Sequence, residues 1–208
     1  MKTTTVRKLL PEAWGFVCPV HTPDGTPCGL LNHITLSCAP IPSEENSIQE
    51  HLPQFKQLLT RLGMQPTQTD FNVIQPINFL PVLLDGVLLG YVDPKFANDF
   101  SNSLREIKIR QDTTDELLRS VPQTLEIAYL PPGSTTGQST AARADDASEV
   151  PREKNYCFPG IFLSSQVSRF VRPVQNLIVG GVEWIGPLEQ VALSIATLEE
   201  DIRPDTTH

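Results

Sequence analysis

The sequence predicts an α+β fold with an antiparallel β-sheet and two main helices. It also predicts an extended N-terminal arm and one long flexible loop. Three observations indicate this class. Two apolar β-type runs flank the dipeptide Asp85-Gly86, and two other stretches carry apolar residues at helical spacing. The 208 residues include 19 prolines, which favour turns and short strands over a helix bundle.

The arm comprises residues 1–42, which are rich in Thr, Pro, Gly and Cys and contain only short apolar runs. Its stretch "EAWGFVCPVHTPDGTPCGLLNHI" is expected to fold back at Asp24-Gly25. Glycine accepts a positive φ there, and the aspartate can bond the backbone ahead of it. Trp14 and Phe16 supply apolar anchors, and three prolines stiffen the loop. A stiffened loop loses little entropy when it meets a partner surface.

A first helix is predicted over residues 44–63. Ser47 and Glu50 have the spacing of a capping box, and Pro53 suits the first turn of the main helix. Gly63 provides a stop signal. The apolar residues at helical spacing are Leu52, Phe55, Leu58, Leu59 and Leu62.

The stretch "FLPVLLDGVLLGYVD", residues 79–93, predicts a β-hairpin with a two-residue turn at Asp85-Gly86. Asp93 is then expected to cap a second helix that has Pro94 in its first turn and runs to about Arg110. The predicted buried stripe of this helix comprises Phe96, Phe100, Leu104 and Ile107.

The second half of the chain predicts further strands around a polar stretch. Residues 131–154 contain almost no large apolar residues and are predicted to form a flexible loop within the domain, although a domain boundary is the alternative. A tight turn is expected at Gly180-Gly181. Residues 188–201 are expected to form a short turn of helix and then a strand. The predicted strands cover residues 124–130, 157–163, 170–174 and 176–185, the last interrupted by the glycine turn.

The net charge of −8 argues against autonomous binding of DNA or RNA, because such proteins normally carry a basic face. Arg7 and Lys8 could neutralise phosphate locally. No apolar run approaches the length of about 20 residues that a membrane-spanning helix needs. With no sign of a signal peptide, we expect a reduced intracellular protein whose four cysteines are free thiols.

Two chemical alternatives concern the arm. Cys18, His21 and Cys28 are candidate zinc ligands, and His33 and Cys38 follow closely, although zinc sites usually present two close pairs of ligands. Cys18, His21 and Asp24 contain the residue types of a cysteine hydrolase, but the members of such relays usually come from separate elements. The phosphate-binding patterns G-x-x-x-x-G-K-[ST] and G-x-G-x-x-G do not occur in the sequence.

The stretch "RKLLPEAWGFVCPVHTPDGTPCGLLNHITL" resembles the end of the fork region in second-largest subunits of multisubunit DNA-dependent RNA polymerases. The family reads approximately W-G-x-x-C-P-x-E-T-P-E-G. The matching residues are Trp14, Gly15, Cys18, Pro19, Thr22, Pro23, Gly25, Gly29 and Leu30.

Two departures from the family pattern indicate which class of the family the loop resembles. His21 and Asp24 each stand where most of the family has Glu. This version of the loop is similar to that of the eukaryotic RNA polymerase I class, which makes the ribosomal RNA precursor. "RFVRPVQNL" and "WIGPLEQVALSIAT", near the end of the chain, are similar to the same class.

The resemblance implies an internal fragment with three parts. Residues 1–42 would end the fork region, residues 43–185 would form the external domain with the flexible loop 131–154, and residues 186–208 would lead toward the hybrid-binding region. The fragment would be a non-catalytic structural part without activity of its own. The nucleotidyltransferase activity would belong to the whole DNA-directed RNA polymerase.

The resemblance also implies partners and location. The partners would be other RNA polymerase I subunits, the DNA template and the RNA–DNA hybrid, with no membrane, in the nucleus and nucleolus. No cofactor is expected in the fragment, since Mg²⁺ and zinc would lie elsewhere in the complex.

No catalytic residue and no metal ligand is implied for this fragment, but a nucleic-acid-proximal site is. By position, the loop around residues 18–29 would lie near the active centre. His21 would place a group that can be neutral or cationic where relatives carry an acid. The residues expected to lie near nucleic acid are Arg7, Lys8, His21, Thr22, Pro23 and Asp24.

Overall fold

The computed structural model describes residues 4–42, 48–67, 78–111, 115–132 and 158–208. Helices and two β-sheets form a mixed α and β fold, which confirms the predicted class. Ser47 of the predicted capping box lies outside the described residues, as does the predicted flexible loop beyond its first two residues. No helix in the described ranges is long and apolar enough to cross a membrane.

Within the described ranges, the larger sheet has five strands. They are β2 (Gln65–Pro66), β3 (Leu80–Leu84), β4 (Val87–Val92), β5 (Glu126–Leu130) and β6 (Gly160–Ser164), in the spatial order β2-β4-β3-β6-β5. The predicted hairpin is confirmed as β3 and β4. Asp85 and Gly86 have φ values of 49° and 84°, and positive φ at both turn positions matches the right-handed twist of the strands.

The predicted antiparallel sheet contains one parallel pair, because β3 and β6 run in the same direction. Antiparallel strands can be joined by a tight turn, whereas parallel neighbours need a long crossover connection. Here the chain between β3 and β6 contains the hairpin partner β4, two helices and β5. Local sequence pattern could not reveal a pairing between strands so far apart in the chain.

The helices are α1 (Leu52–Arg61), α2 (Ala97–Arg110), α3 (Glu116–Arg119) and α4 (Pro187–Ala192). The first is shorter than predicted, since Ile48–His51 forms a 3₁₀ turn before it. Its residues Phe55, Leu58 and Leu59 are buried as expected, and Gly63, with φ of 113°, confirms the stop.

Helix α2 confirms Phe100 and Leu104 as buried residues. The prediction for Phe96 is wrong, because this residue precedes the first helical turn and is 62% exposed. Asp93 does not cap the helix either. Its carboxylate accepts the backbone N–H of Lys95 at 2.9 Å and so stabilises the turn that leads into α2.

The second sheet contains β1 (Ala39–Pro40), β7 (Phe170–Gln175) and β8 (Val182–Ile185), in the antiparallel order β1-β7-β8. The glycine turn between β7 and β8 is confirmed, with φ of 78° and 100° at Gly180 and Gly181. This sheet joins the end of the arm to the last third of the chain.

The prediction of a strand after α4 is wrong. Residues 193–198 form no regular element, and Glu199–Asp201 is a 3₁₀ turn. The backbone of this segment bonds to the end of the chain instead: the Thr207 N–H donates to the Ser194 carbonyl and the Ala196 N–H donates to the His208 carbonyl, both at 2.9 Å.

A buried ionic cluster ties α2 to β8 and α4. One carboxylate oxygen of Glu183 lies 2.6 Å from Arg105 Nη1 and 2.6 Å from Lys108 Nζ. The other oxygen lies 2.7 Å from His208 Nε2. Glu189 accepts hydrogen bonds from the same two cations. Burial raises the pKa of Glu183, but the His208 hydrogen bond and the two cations outweigh burial, so the pKa lies well below its usual range. The pKa of the fully buried Glu189 is raised by burial.

Candidate functional site

Residues 18–33 form a compact loop, here called the arm loop, whose two ends are held together. The Cys18 N–H donates to the His33 carbonyl at 2.8 Å, and the Thr35 N–H donates to the Phe16 carbonyl at 3.0 Å. Phe16, at the base, is 3% exposed. Closed ends and internal packing are features of Ω-loops, a class in which functional segments are frequent.

The hydroxyl of Thr22 holds the two sides of the arm loop together. Its Oγ1 donates to the Leu31 carbonyl at 2.8 Å and accepts the Gly29 N–H at 2.9 Å. The predicted turn at Asp24-Gly25 is confirmed, since Gly25 has a φ of 87°. The loop is therefore shaped by its own hydrogen bonds as well as by its prolines.

Arg7 fastens the arm loop to the start of the arm. Its Nη1 donates to the Thr26 carbonyl at 2.7 Å and to the carbonyl of Cys28. Gly29 permits this approach, because a Cβ at that position would lie 2.8 Å from the Arg7 carbonyl oxygen. The neighbouring Lys8 is exposed.

The candidate zinc ligands make other contacts. The ring of His21 stacks on that of His33, with centroids 3.7 Å apart and planes inclined by 6°. Cys18 Sγ accepts the backbone N–H of His21 at 3.3 Å, and Cys28 is exposed. Across the described ranges, no group of three or more His, Cys, Asp or Glu side chains could hold a metal ion. The zinc-module alternative is not favoured.

The hydrolase alternative has no support in the geometry of the arm loop. The backbone of His21, rather than its ring, contacts the Cys18 sulfur. Asp24 is exposed, and its carboxylate orients neither of the other two side chains. The three residues therefore do not form an aligned relay.

Two residues for which the sequence predicted no role attach the arm to the rest of the fold. Gln190, on α4, donates through Nε2 to the carbonyls of Pro11 and Trp14, at 2.8 and 2.9 Å. Arg172, on β7, donates through Nε to Gln190 Oε1 at 2.7 Å and lies 5.7 Å from the centroid of the Phe16 ring. The contacts of Gln190 with the arm join residues 179 and 176 positions apart, which no local pattern could indicate.

The six residues predicted to lie near nucleic acid divide into two groups. Arg7 and Thr22 use their polar groups to hold the arm loop. The exposed members are Lys8, His21, Pro23 and Asp24. An open cleft of about 810 Å³ separates the start of the arm from the arm loop, and Arg7, Lys8 and Thr22 are among its lining residues. The proximity of these six residues to nucleic acid stays a prediction.

Two family models match parts of the chain. Residues 1–39 match the model described as RNA polymerase Rpb2, domain 3. Residues 89–139 match the model described as RNA polymerase I, Rpa2 specific domain. The first match covers the arm loop, and the second begins in β4 and covers α2 and β5.

Curated relatives match almost the whole chain. DNA-directed RNA polymerase I subunit RPA2 of Euplotoides octocarinatus is 47% identical over 207 residues, which cover 100% of this chain and 16% of that protein. The subunits of the same name from Mus musculus and Homo sapiens are 38% and 37% identical, over 97% and 100% of this chain. The chain spans about one sixth of the length of these relatives.

Proposed function

We propose, from the resemblance of the whole chain to a segment of the second-largest subunit of RNA polymerase I, that it is a non-catalytic structural part of that subunit. In this role it supports transcription of the ribosomal RNA precursor. The observation that carries the proposal is a match over at least 97% of the chain to three subunits that share this name. The nucleotidyltransferase activity belongs to the assembled DNA-directed RNA polymerase.

The proposed organisation has three parts. Residues 1–42 are the end of the fork region, residues 43–185 are the external domain, and residues 186–208 are the connector toward the hybrid-binding region. Pairing of β1 with β7, supplemented by the contacts of Gln190, fixes the first part against the other two. The arm loop is therefore attached to the folded part of the chain on both of its sides.

The proposed site is the exposed face of the arm loop, which lies beside nucleic acid near the active centre. The exposed side chains of His21, Pro23 and Asp24 would form this face, and the exposed Lys8 would add a cation from the start of the arm. Arg7 and Thr22 would maintain the shape of the loop. A loop of fixed shape can guide the register of the nucleic acid without reading bases. The net charge of −8 is compatible with this role, because the contact is local and the rest of the fragment need not be basic.

The proposed partners are the other subunits of RNA polymerase I, with the DNA template and the RNA–DNA hybrid, in the nucleus and nucleolus. Exposed apolar side chains on the arm support contacts within a larger assembly. Val20 is 81% exposed, Leu36 is fully exposed and Trp14 is 49% exposed. Concentrations of exposed apolar residues mark interaction surfaces.

The test is to tag the full-length protein that contains this chain, identify the subunits that purify with it, and map its occupancy of chromatin. The proposal predicts co-purification with RNA polymerase I subunits and occupancy concentrated on ribosomal RNA genes. Occupancy concentrated on protein-coding genes, with subunits of a different nuclear polymerase, would contradict it.

A further inference from the structure

The arm is attached to the rest of the fold at two places that lie on either side of the arm loop in the sequence. On the C-terminal side, β1 pairs with β7, and the Ile41 N–H donates to the Arg169 carbonyl at 2.9 Å. On the N-terminal side, the attachment is the contact of Arg172 and Gln190 with residues 11–16. Each attachment restrains one end of the arm loop.

The Gln190 side chain uses both ends of its amide. Its Oε1 accepts from Arg172, which fixes the orientation of the amide, so that Nε2 faces the arm. The two Nε2 protons then meet the carbonyls of Pro11 and Trp14. These carbonyls lie at the start and just beyond the end of the 3₁₀ turn Pro11–Ala13, so a single side chain holds the whole turn.

The Arg172 side chain is enclosed by the arm. A Cβ at Gly15 would lie 2.8 Å from Arg172 Nε and 2.9 Å from its Cδ, so the arginine passes directly against the glycine backbone. Its guanidinium faces the ring of the buried Phe16. Among the described residues, no carboxylate lies within ion-pair distance of Arg172. Its polar partner is therefore Gln190.

We propose that Arg172 and Gln190 form a latch that sets the position of the arm loop against the body of the subunit. With the latch released, the arm keeps its pairing at β1 and loses the hydrogen bonds that restrain its N-terminal side, so the arm loop can move relative to the rest of the fold. Gln190 and Arg172 are therefore positioning residues for the exposed face of the loop. Their effect on the approach to nucleic acid rests on the proposed function, whereas their effect on loop position does not.

The variant Gln190→Glu separates the two halves of the latch. The carboxylate still accepts from Arg172, but it has no N–H to donate and places negative charge against two carbonyl oxygens. The matched control is Gln175→Glu, the same change at an exposed position of β7. Arg172→Lys provides a second test, because lysine keeps the charge and lacks the planar fork that lies between Gly15 and Phe16.

The experiment measures the distance between spin labels carried by non-natural amino acids at positions 23 and 87, in the assembled polymerase. Position 23 lies in the arm loop, and Val87 is an exposed residue of β4. The latch predicts a single narrow distance in the parent enzyme and in Gln175→Glu. It predicts a broadened and shifted distance in Gln190→Glu and Arg172→Lys. An unchanged distance in both latch variants would overturn the proposal.

RNA elongation by the same enzymes distinguishes failure of the latch from failure of the proposed function. A displaced loop with a changed elongation rate supports both. A displaced loop with an unchanged rate keeps the latch and contradicts the placement of the loop beside nucleic acid. Normal assembly of each variant, measured by subunit content, excludes misfolding as the cause of a changed rate.

Discussion

The hydroxyl of Thr22 lies 2.8 Å from the carbonyl oxygen of Leu31, and this hydrogen bond joins the two sides of the arm loop. The same oxygen accepts the Gly29 N–H. One side chain thus satisfies two backbone groups in a loop that contains turns and bends but no helix or strand. The loop keeps its shape through such contacts, and the account of its function depends on that shape.

Replacing Thr22 with valine removes both hydrogen bonds while preserving the shape of the side chain. Each bond contributes about 0.5–1.5 kcal/mol, so we expect the free energy of opening the arm loop to fall by about 1–3 kcal/mol. Amide hydrogen exchange at Gly29 measures this directly and should become faster. Thr26→Val is the control, because the Thr26 side chain is exposed and holds no loop contact. Equal exchange rates in the two variants would show that Thr22 does not hold the loop.

Gly15→Ala should destabilise the fold more than Gly25→Ala. Both glycines have φ near 80–87°, and an L-residue in that region costs about 1–2 kcal/mol. At Gly15 the added Cβ would also strike Arg172, whereas at Gly25 nothing lies within 4 Å. The Arg172 side chain would have to move aside, and the added cost is the loss of its hydrogen bond to Gln190, about 0.5–1.5 kcal/mol. Denaturant unfolding of the chain measures the difference, and equal losses would contradict the close approach of Arg172.

The buried cluster predicts a loss of stability in acid. The pKa of Glu183 in the folded protein lies far below the ordinary value of about 4.5 for a glutamate. Its contribution to stability is therefore present above about pH 4.5 and is lost as the pH falls toward the folded-state pKa. Glu189 has a raised pKa and acts in the opposite direction above 4.5, so the acid range reports on Glu183. Glu183→Gln should cost about 3–5 kcal/mol at neutral pH, because it leaves buried cations with weaker partners.

The measurement for Glu183→Gln is the free energy of unfolding at several pH values between about 3 and 7. Its curve should be flatter than that of the parent chain below pH 4.5, because the titrating carboxylate is gone. Glu106→Gln is the control, since Glu106 forms an exposed ion pair with Arg110 that should be worth less than about 1 kcal/mol. If the free energy of unfolding fell with the same slope below pH 4.5 in Glu183→Gln and in the parent, Glu183 would not be the group that causes the loss of stability in acid.

Restoring the common family residues, by His21→Glu and Asp24→Glu together, should change elongation by the reconstituted polymerase. The two changes add a carboxylate at an exposed position and lengthen a second one. They also replace the His21 ring, which stacks on His33, so the single change Asp24→Glu serves as the control that keeps the stack. Elongation rate and pausing on a defined template are the readouts. Unchanged values in the double variant, with normal assembly, would assign the two departures to drift.

Local signals in the sequence predicted the parts of the fold that depend on neighbouring residues. Asp85-Gly86 indicated the hairpin because its conformation is set by two residues, and Gly25 indicated the loop turn for the same reason. The prediction that Phe96 is buried is wrong because the spacing of apolar residues does not show at which residue a helix begins. Boundaries depend on tertiary contacts that periodicity does not contain.

Contacts between distant residues could not be predicted in this way. In the sequence, nothing distinguishes Glu183 and Glu189 from exposed acidic residues. In the structure they lie buried against two cations, Arg105 and Lys108, of a helix about 80 positions earlier in the chain. Gln190 lies within the stretch "WIGPLEQVALSIAT", but nothing in that stretch indicates that its side chain holds the arm. The candidate loop itself was visible from its composition, whereas the residues that position it were not.

The measurement that tests the account most directly is photo-crosslinking from the arm loop in an elongating polymerase. A photoreactive amino acid replaces Pro23, which is exposed, and the same amino acid at Val87 in β4 serves as the control. If the arm loop lies beside nucleic acid, position 23 should form crosslinks to DNA or RNA near the growing end of the transcript, and position 87 should form none. Crosslinks from position 23 to protein alone, in an enzyme that elongates normally, would contradict it.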